Sequence, residues 1–236
     1  MTWQNKVVWA EGMFLRPQHF QQQERYIDFV VQSRSQPAQP FFWGFSELQL
    51  DLDLLAIGKI GLASGQGLFP DGTPFRFPGN DIPPDALEFP KDAKNCLVYL
   101  CIPVQRRTGA ETTFSKDEQV VTRYRAQVAE VSDVTDLGAQ PAEVQLASTR
   151  LKLRTQSDVT EGWITLAVAH VVERRTDGSI LLDKSFIPTT VNNAEFCQLH
   201  GYCRELHGLL RQRGEALEAR MTQPGRAGLG EVGDFL

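Results

Sequence analysis

The residues best placed for chemistry are His200, Cys203 and His207. Spaced i, i+3, i+7 on a helix, they fall within an arc of about 60°. Zinc accepts imidazole and thiolate, but three ligands leave a tetrahedral site one short. A buried cysteine in an apolar stripe, flanked by boundary histidines, needs no metal and is the reading expected here. Asp51 and Asp53 would share one face of a strand and could pair a general acid with a base. No His, Lys or third carboxylate stands beside them, so they read as solvated edge charges. Gly61-x-x-x-Gly65-x-Gly67 lacks the Lys-Ser/Thr of a phosphate loop, and no helix opens after it. Gly-x-Ser-x-Gly and His-Glu-x-x-His do not occur. Arg123 and Arg125 put two guanidinium groups on one strand face that could receive an acidic partner. On an exposed strand they are expected to be solvated. The sequence thus predicts no catalytic residue, no metal site and no cofactor.

Composition narrows the class further. The 236 residues carry a net charge of −5, with 42% hydrophobic and 22% charged residues. That is ordinary for a soluble globular protein and offers no basic face to nucleic acid. No window approaches the ~20 apolar residues of a bilayer span. No apolar signal-peptide region follows Lys6. The expectation is a cytoplasmic chain with no direct membrane insertion. Cys96 and Cys101 would point to opposite faces of a strand, and Cys197 and Cys203 lie about 240° apart on a helix, so reduced thiols are expected.

The elements that would position these residues come in three blocks. Residues 17–35 read as a helix, with Pro17 suited to the first helical position and Pro37 expected to end it. Phe20, Ile27 and Val31 form one stripe and Tyr26 and Phe29 lie opposite, which predicts a helix covered on both sides. From Phe41 the period falls to two. Leu48, Leu50, Leu52 and Leu54 alternate with polar residues, while Trp43 and Phe45 have the other parity, predicting a bulge near Ser46. Gly58–Gly67 reads as strand and turn, and Pro78–Pro90 as a surface loop. Leu97–Val104, apolar on both faces, predicts a central strand ended by Pro103. Val120–Val131, Val144–Thr155 with a slip near Ser148, and Ile164–Val172 follow. Asp177-Gly178 predicts a type I′ turn into Ile180–Leu182. Many short strands behind one early helix predict a mainly β fold, an antiparallel β-sandwich or a barrel rather than alternating βα units.

After Pro188 the helical period returns. Phe196, Leu199, Cys203, Leu206, Leu210, Leu217 and Met221 fall within an arc of about 80°. So narrow a stripe resembles a coiled-coil seam rather than a broad core face. Pro224 to Gly230 breaks the helix, and the apolar residues at 235–236 follow. This predicts a fragment, or a chain without its C-terminal domain.

The N-terminus holds an unusual density of large apolar groups: Trp9, Met13, Phe14 and Leu15, then Phe20 and Tyr26 on the helix. Two destinations stay open for them. They could plug the domain's own core, at roughly 1.5–3 kcal/mol per large side chain, or make a contact between chains.

The stretch from Trp9 through Glu11-Gly12-Met13-Phe14-Leu15-Arg16-Pro17 to His19-Phe20 resembles the N-terminal signature of the TssK family, also called ImpJ or VasE. These are baseplate subunits of bacterial type VI secretion. Gly67-Leu-Phe-Pro-Asp-Gly-Thr-Pro-Phe75 resembles a second family signature, and Leu182-Asp-Lys-Ser-Phe-Ile-Pro188 the segment that closes its first domain. Thr189 stands where the family usually has a second proline. The resemblance implies a non-enzymatic adaptor that forms a homotrimer. Its parts are a β-sandwich shoulder similar to phage receptor-binding proteins, a helical neck and a C-terminal head. It implies that the shoulder attaches to the wedge subunits TssF and TssG, and that the head, missing here, docks to TssL and TssM. The protein would be cytoplasmic, associated with the inner-membrane-docked baseplate. The corresponding division is an arm at 1–16, a shoulder at 17–190, the start of a neck at 191–222 and a glycine-rich break at 223–236. A metal- or ligand-binding β-domain, or an enzyme using His200, Cys203 and His207, is the alternative class.

Overall fold

A computed structural model describes residues 3–115, 121–135, 140–192 and 196–221. The Gly-rich segment at 223–236 lies outside these. The chain forms two compact units, residues 1–192 and 193–236.

The first unit opens with an arm and helix α1 (Pro17–Ala38). The N-terminal end of α1 follows from Pro17 in the first turn. Its other end passes the position expected, because Pro37 falls in the last turn and the helix reaches Ala38. A proline so near the end forfeits only one late hydrogen bond. In the single chain no residue of α1 is buried, so this chain alone does not supply the cover expected on both sides.

Strand β1 (Gly44–Leu50) pairs antiparallel with β3 (Leu62–Leu68), which pairs with β4 (Pro74–Phe77). A register shift between Phe45 and Glu47 is the expected bulge. The alternation of leucines does not run on as strand. Helix α2 (Leu52–Ala56) begins where Asp51 accepts hydrogen bonds from the backbone N–H groups of Asp53 and Leu54. Such a cap satisfies two donors a helix start leaves open. β2 (Lys59–Ile60) then pairs with β5 (Leu87–Glu88), so the proline-rich connection carries a short strand and buries Phe89.

The central strand is β6 (Lys94–Pro103), flanked by β10 (Lys152–Thr155) on one side and β11 (Trp163–Arg174) on the other, with β12 (Ile180–Leu182) beyond β11. Its continuous apolar run has Val98, Leu100, Cys101 and Ile102 fully buried, as a strand paired on both edges requires. The β11–β12 connection is not the expected two-residue type I′ turn. Gly178 N–H donates to the Arg175 carbonyl and Arg175 N–H to that of Ser179, with Gly178 at φ 90°. That is a three-residue loop closed by a left-handed glycine.

A fourth sheet holds β7 (Thr112–Thr113), β8 (Tyr124–Val131) and β9 (Ala142–Thr149). The slip near Ser148 has a simple cause. What read as one strand is two, β9 and β10, placed in different sheets. β7 pairs with β8 only at Tyr124 and Arg125, so beyond Arg125 the β8–β9 pair continues as a two-stranded ribbon. Apart from that short parallel pair the named strand pairs are antiparallel, and with the N-terminal helix this is the fold class expected.

The unit closes on itself. Phe45 N–H donates to the Thr189 carbonyl (2.9 Å), and the Phe45 carbonyl accepts from Val191 N–H (3.0 Å) and the Thr190 hydroxyl (2.8 Å). The core beneath is aromatic: Phe75 packs edge-on to Phe45 at 5.6 Å and tilted against Phe69 at 5.0 Å. In the second unit, α3 (Cys197–Met221) is exposed from His200 to Arg220.

Candidate functional site

None of the chemical candidates assembles. His200, Cys203 and His207 are all exposed on α3. Cys203, expected to be buried in the apolar stripe, is exposed in the single chain, where α3 has no packed neighbour over it. Among the described residues no group of three His, Cys, Asp or Glu side chains is placed to hold a metal. Asp51 is a helix cap, not half of a carboxylate pair. The three glycines make room for packing. A Cβ would lie 2.3 Å from Leu54 Cδ1 at Gly61, 2.5 Å from the Phe77 ring at Gly65, and 2.3 Å from the Gly44 carbonyl oxygen at Gly67. Cys101 is buried and its thiol is pushed up to about 12 by that burial, which leaves no reactive thiolate near neutrality.

Arg123 corrects the sequence reading most sharply. It is not a solvated strand residue: only 3% of its side chain is exposed. Its guanidinium donates to the Pro103 carbonyl at 2.7 Å, to the Asp71 carboxylate at 2.5 Å and to the Thr73 hydroxyl. Burial opposes its charge, while Asp71 and Tyr124 favour it, and the balance raises its pKa. Arg125, its expected companion, is only half-buried. The only signal for Arg123 in the sequence was the Asp71-Gly72 turn that receives it.

This network is also the seat of α1. Gln32 Nε2 donates to the Asp71 carbonyl at 2.5 Å, so one turn holds both arginine and helix. At the other end Gln22 Nε2 donates to the carbonyls of Trp3 (2.9 Å) and Asn5 (2.8 Å), and the Arg25 guanidinium lies 4.4 Å above the Trp3 ring. Between α1 and the sheets runs a cleft of about 570 Å³ lined by Asp28, Phe29, Leu68, Arg123 and Ile164. Asp28 there has its pKa raised by partial burial, against the pull of Arg123. The helix is therefore fastened by polar contacts along one side.

Its other side is exposed in this chain, as is most of the arm apart from the buried Val7. Phe14 is 82% exposed, Leu15 and Phe20 53% each, and Val31 58%. Trp9, also exposed, leans on His19 at 6.2 Å and Phe20 at 6.4 Å, while Met13 and Tyr26 are half-buried. On α3, Phe196 and Leu199 are half-buried and Leu206, Leu210 and Leu217 exposed. Exposed apolar patches larger than a few hundred Å² are where proteins commonly make contacts. The class defined is a β-rich module with exposed apolar surfaces and no group of three His, Cys, Asp or Glu placed for a metal among the described residues.

Comparison with known proteins gives that class a family. Residues 19–236 match the family of bacterial type VI secretion proteins EvfL, ImpJ and VasE. The chain is 40% identical over 237 residues to the type VI secretion system baseplate component TssK1 of Pseudomonas aeruginosa, covering 100% of this chain and 53% of that one. Its fold matches a crystal structure of TssK with a TM-score of 0.88 and 38% identity, covering 98% of this chain and 52% of the other. It shares its fold with a chain of a TssK–TssF–TssG baseplate subcomplex solved by cryo-electron microscopy (TM-score 0.81, 23% identity, 92% and 72% covered). The chain belongs to the ImpJ/VasE family of bacterial type VI secretion proteins. It spans about half the length of the curated relative it matches.

Proposed function

We propose that this chain is the shoulder and the start of the neck of a non-enzymatic TssK-type baseplate adaptor. The observation that carries the reading is the exposed arm and α1 stripe of Trp9, Phe14, Leu15 and Phe20, on a helix tied to the β-domain through Gln32 and the Asp71 turn. Buried aromatic anchors dominate protein interfaces, and a helix seated this way keeps its anchors available. The relative with the same fold in a TssK–TssF–TssG subcomplex supports TssF and TssG as partners, and this surface is the one proposed to meet them. Arm 1–16, shoulder 17–190 and neck 191–222 is the division that goes with it. The α3 stripe, Phe196 to Leu217, associates three copies by coiled-coil packing. A C-terminal part supplies docking to TssL and TssM, so that the assembly works in the cytoplasm against the inner membrane. The described helices are consistent with this, since none is long and apolar enough to cross a membrane.

Co-purification with TssF–TssG tests it. Phe14→Ala with Phe20→Ala should keep the fold and lose most of the captured TssF–TssG. Unchanged capture by the folded double variant removes the arm and helix from the interface.

A further inference from the structure

The β8–β9 ribbon carries a second uncovered surface. In its register Gln127 stands opposite Leu146, Ala129 opposite Val144 and Val131 opposite Ala142. Residues directly opposite share a face, so five apolar side chains and one glutamine form one side. Val131, Val144 and Leu146 there are 42%, 38% and 43% exposed. The reverse side pairs Val128, itself 56% exposed, with Gln145, and Glu130 with Glu143. The outer part of the ribbon, 129–131 with 142–144, is thus amphipathic, with an apolar face and an acidic one.

Both of its long edges are open as well. β9 has no described strand on its outer side, and β8 has none beyond Arg125. Open edges are normally blunted by Lys, Pro or a bulge. Residues 126–131 and 142–147 contain no Lys, Pro or Gly, and their pairing runs without a shift. A two-stranded ribbon is marginal alone in water. This one has an edge to offer on either side.

Symmetry identifies the occupant. Rotation about an axis along the ribbon leaves every β8 pointing one way and every β9 the other. The outer edge of β9 in one copy then meets the open edge of β8 in the next, antiparallel like the existing pair, and all apolar faces turn to the axis. Such a contact is heterologous, and it makes a ring where the rotation between copies closes. We propose that the β8–β9 ribbons of neighbouring copies pair edge to edge, enclosing Ala129, Val131, Ala142, Val144 and Leu146 around the axis. This rests on the self-association proposed above. With three copies the ring has six strands, and alanine with valine and leucine suits the narrow interior of so small a closed sheet.

Hydrogen exchange of the 236-residue chain, read on peptides covering 126–131 and 142–149, tests the pairing beside the mass from light scattering. In the assembled state these amides should exchange about tenfold more slowly, or slower still, than on dilution to monomer. Val144→Lys with Leu146→Lys should abolish that protection, and Glu143→Lys, on the outward face, should keep it. An assembly whose ribbon amides exchange as fast as the monomer's overturns the pairing while leaving self-association standing. Loss of protection in Glu143→Lys alone overturns the assignment of faces. A chain that stays monomeric at all concentrations overturns both the pairing and the self-association beneath it.

Discussion

Gly44 sits at φ 130°, and a Cβ there would stand 2.6 Å from the Thr189 carbonyl oxygen. Gly44→Ala should therefore cost about 1–3 kcal/mol, read as a lower urea midpoint, because backbone rather than a flexible side chain would have to move. Arg123→Ala should cost about 3 kcal/mol by the same measurement, since it strips the partner from Asp71 and leaves the Pro103 carbonyl unsatisfied in the interior. Asp183 makes a prediction about pH. Its carboxylate accepts from the hydroxyl and backbone N–H of Ser185, and it lies 3.0 Å from His170 Nδ1. The Ser185 hydroxyl bond, then His170, hold its pKa down at about 2, against an ordinary 3.8. A depressed carboxylate stabilises the fold above its unfolded pKa and loses that effect as pH falls through the folded one. Asp183→Asn should be less stable than the parent near neutrality, and the gap should close between 3.8 and about 2. A gap constant across that window would remove the ionised carboxylate as its cause.

At the scale of elements, α1 makes the separable prediction. Its outward residues are exposed, so Ile27→Ala and Val31→Ala should shift the thermal midpoint of the single chain by no more than about 0.5 kcal/mol equivalent. What the sequence disclosed of the elements was local. Pro17, the parity change at Ser46 and the two-sided run of β6 are each written in neighbouring residues, and the structure has them. What it hid depended on distant partners. Asp51 reads as a strand residue until Leu52–Ala56 turns helical and takes its carboxylate as a cap. β9 and β10 read as one strand because nothing local says that the chain changes sheets at Arg150. Arg123 follows the alternation of an exposed strand, and only the Asp71 turn, far away in sequence, explains its burial. The exposed arm was open for the same reason: aromatic residues look alike in sequence whether they meet their own core or another chain.

For the whole molecule, the proposed neck gives the test. Leu206→Glu with Leu210→Glu should lower the mass measured by light scattering while the circular dichroism of the β-domain is unchanged, because both residues are exposed in a single chain. An unaltered mass would place the association elsewhere. One consequence of the closure at Phe45 concerns load. Residues 189–191 are the last described before Asn192, where the first unit ends, and they hang on the backbone of a single residue, Phe45. Tension drawn from the second unit must cross those three hydrogen bonds to reach β1, only a few residues after α1 ends. The unit's first strand and its exit are thus one mechanical joint. A pull on the neck would be felt at the root of the helix that carries the exposed aromatics before it strained the central sheet.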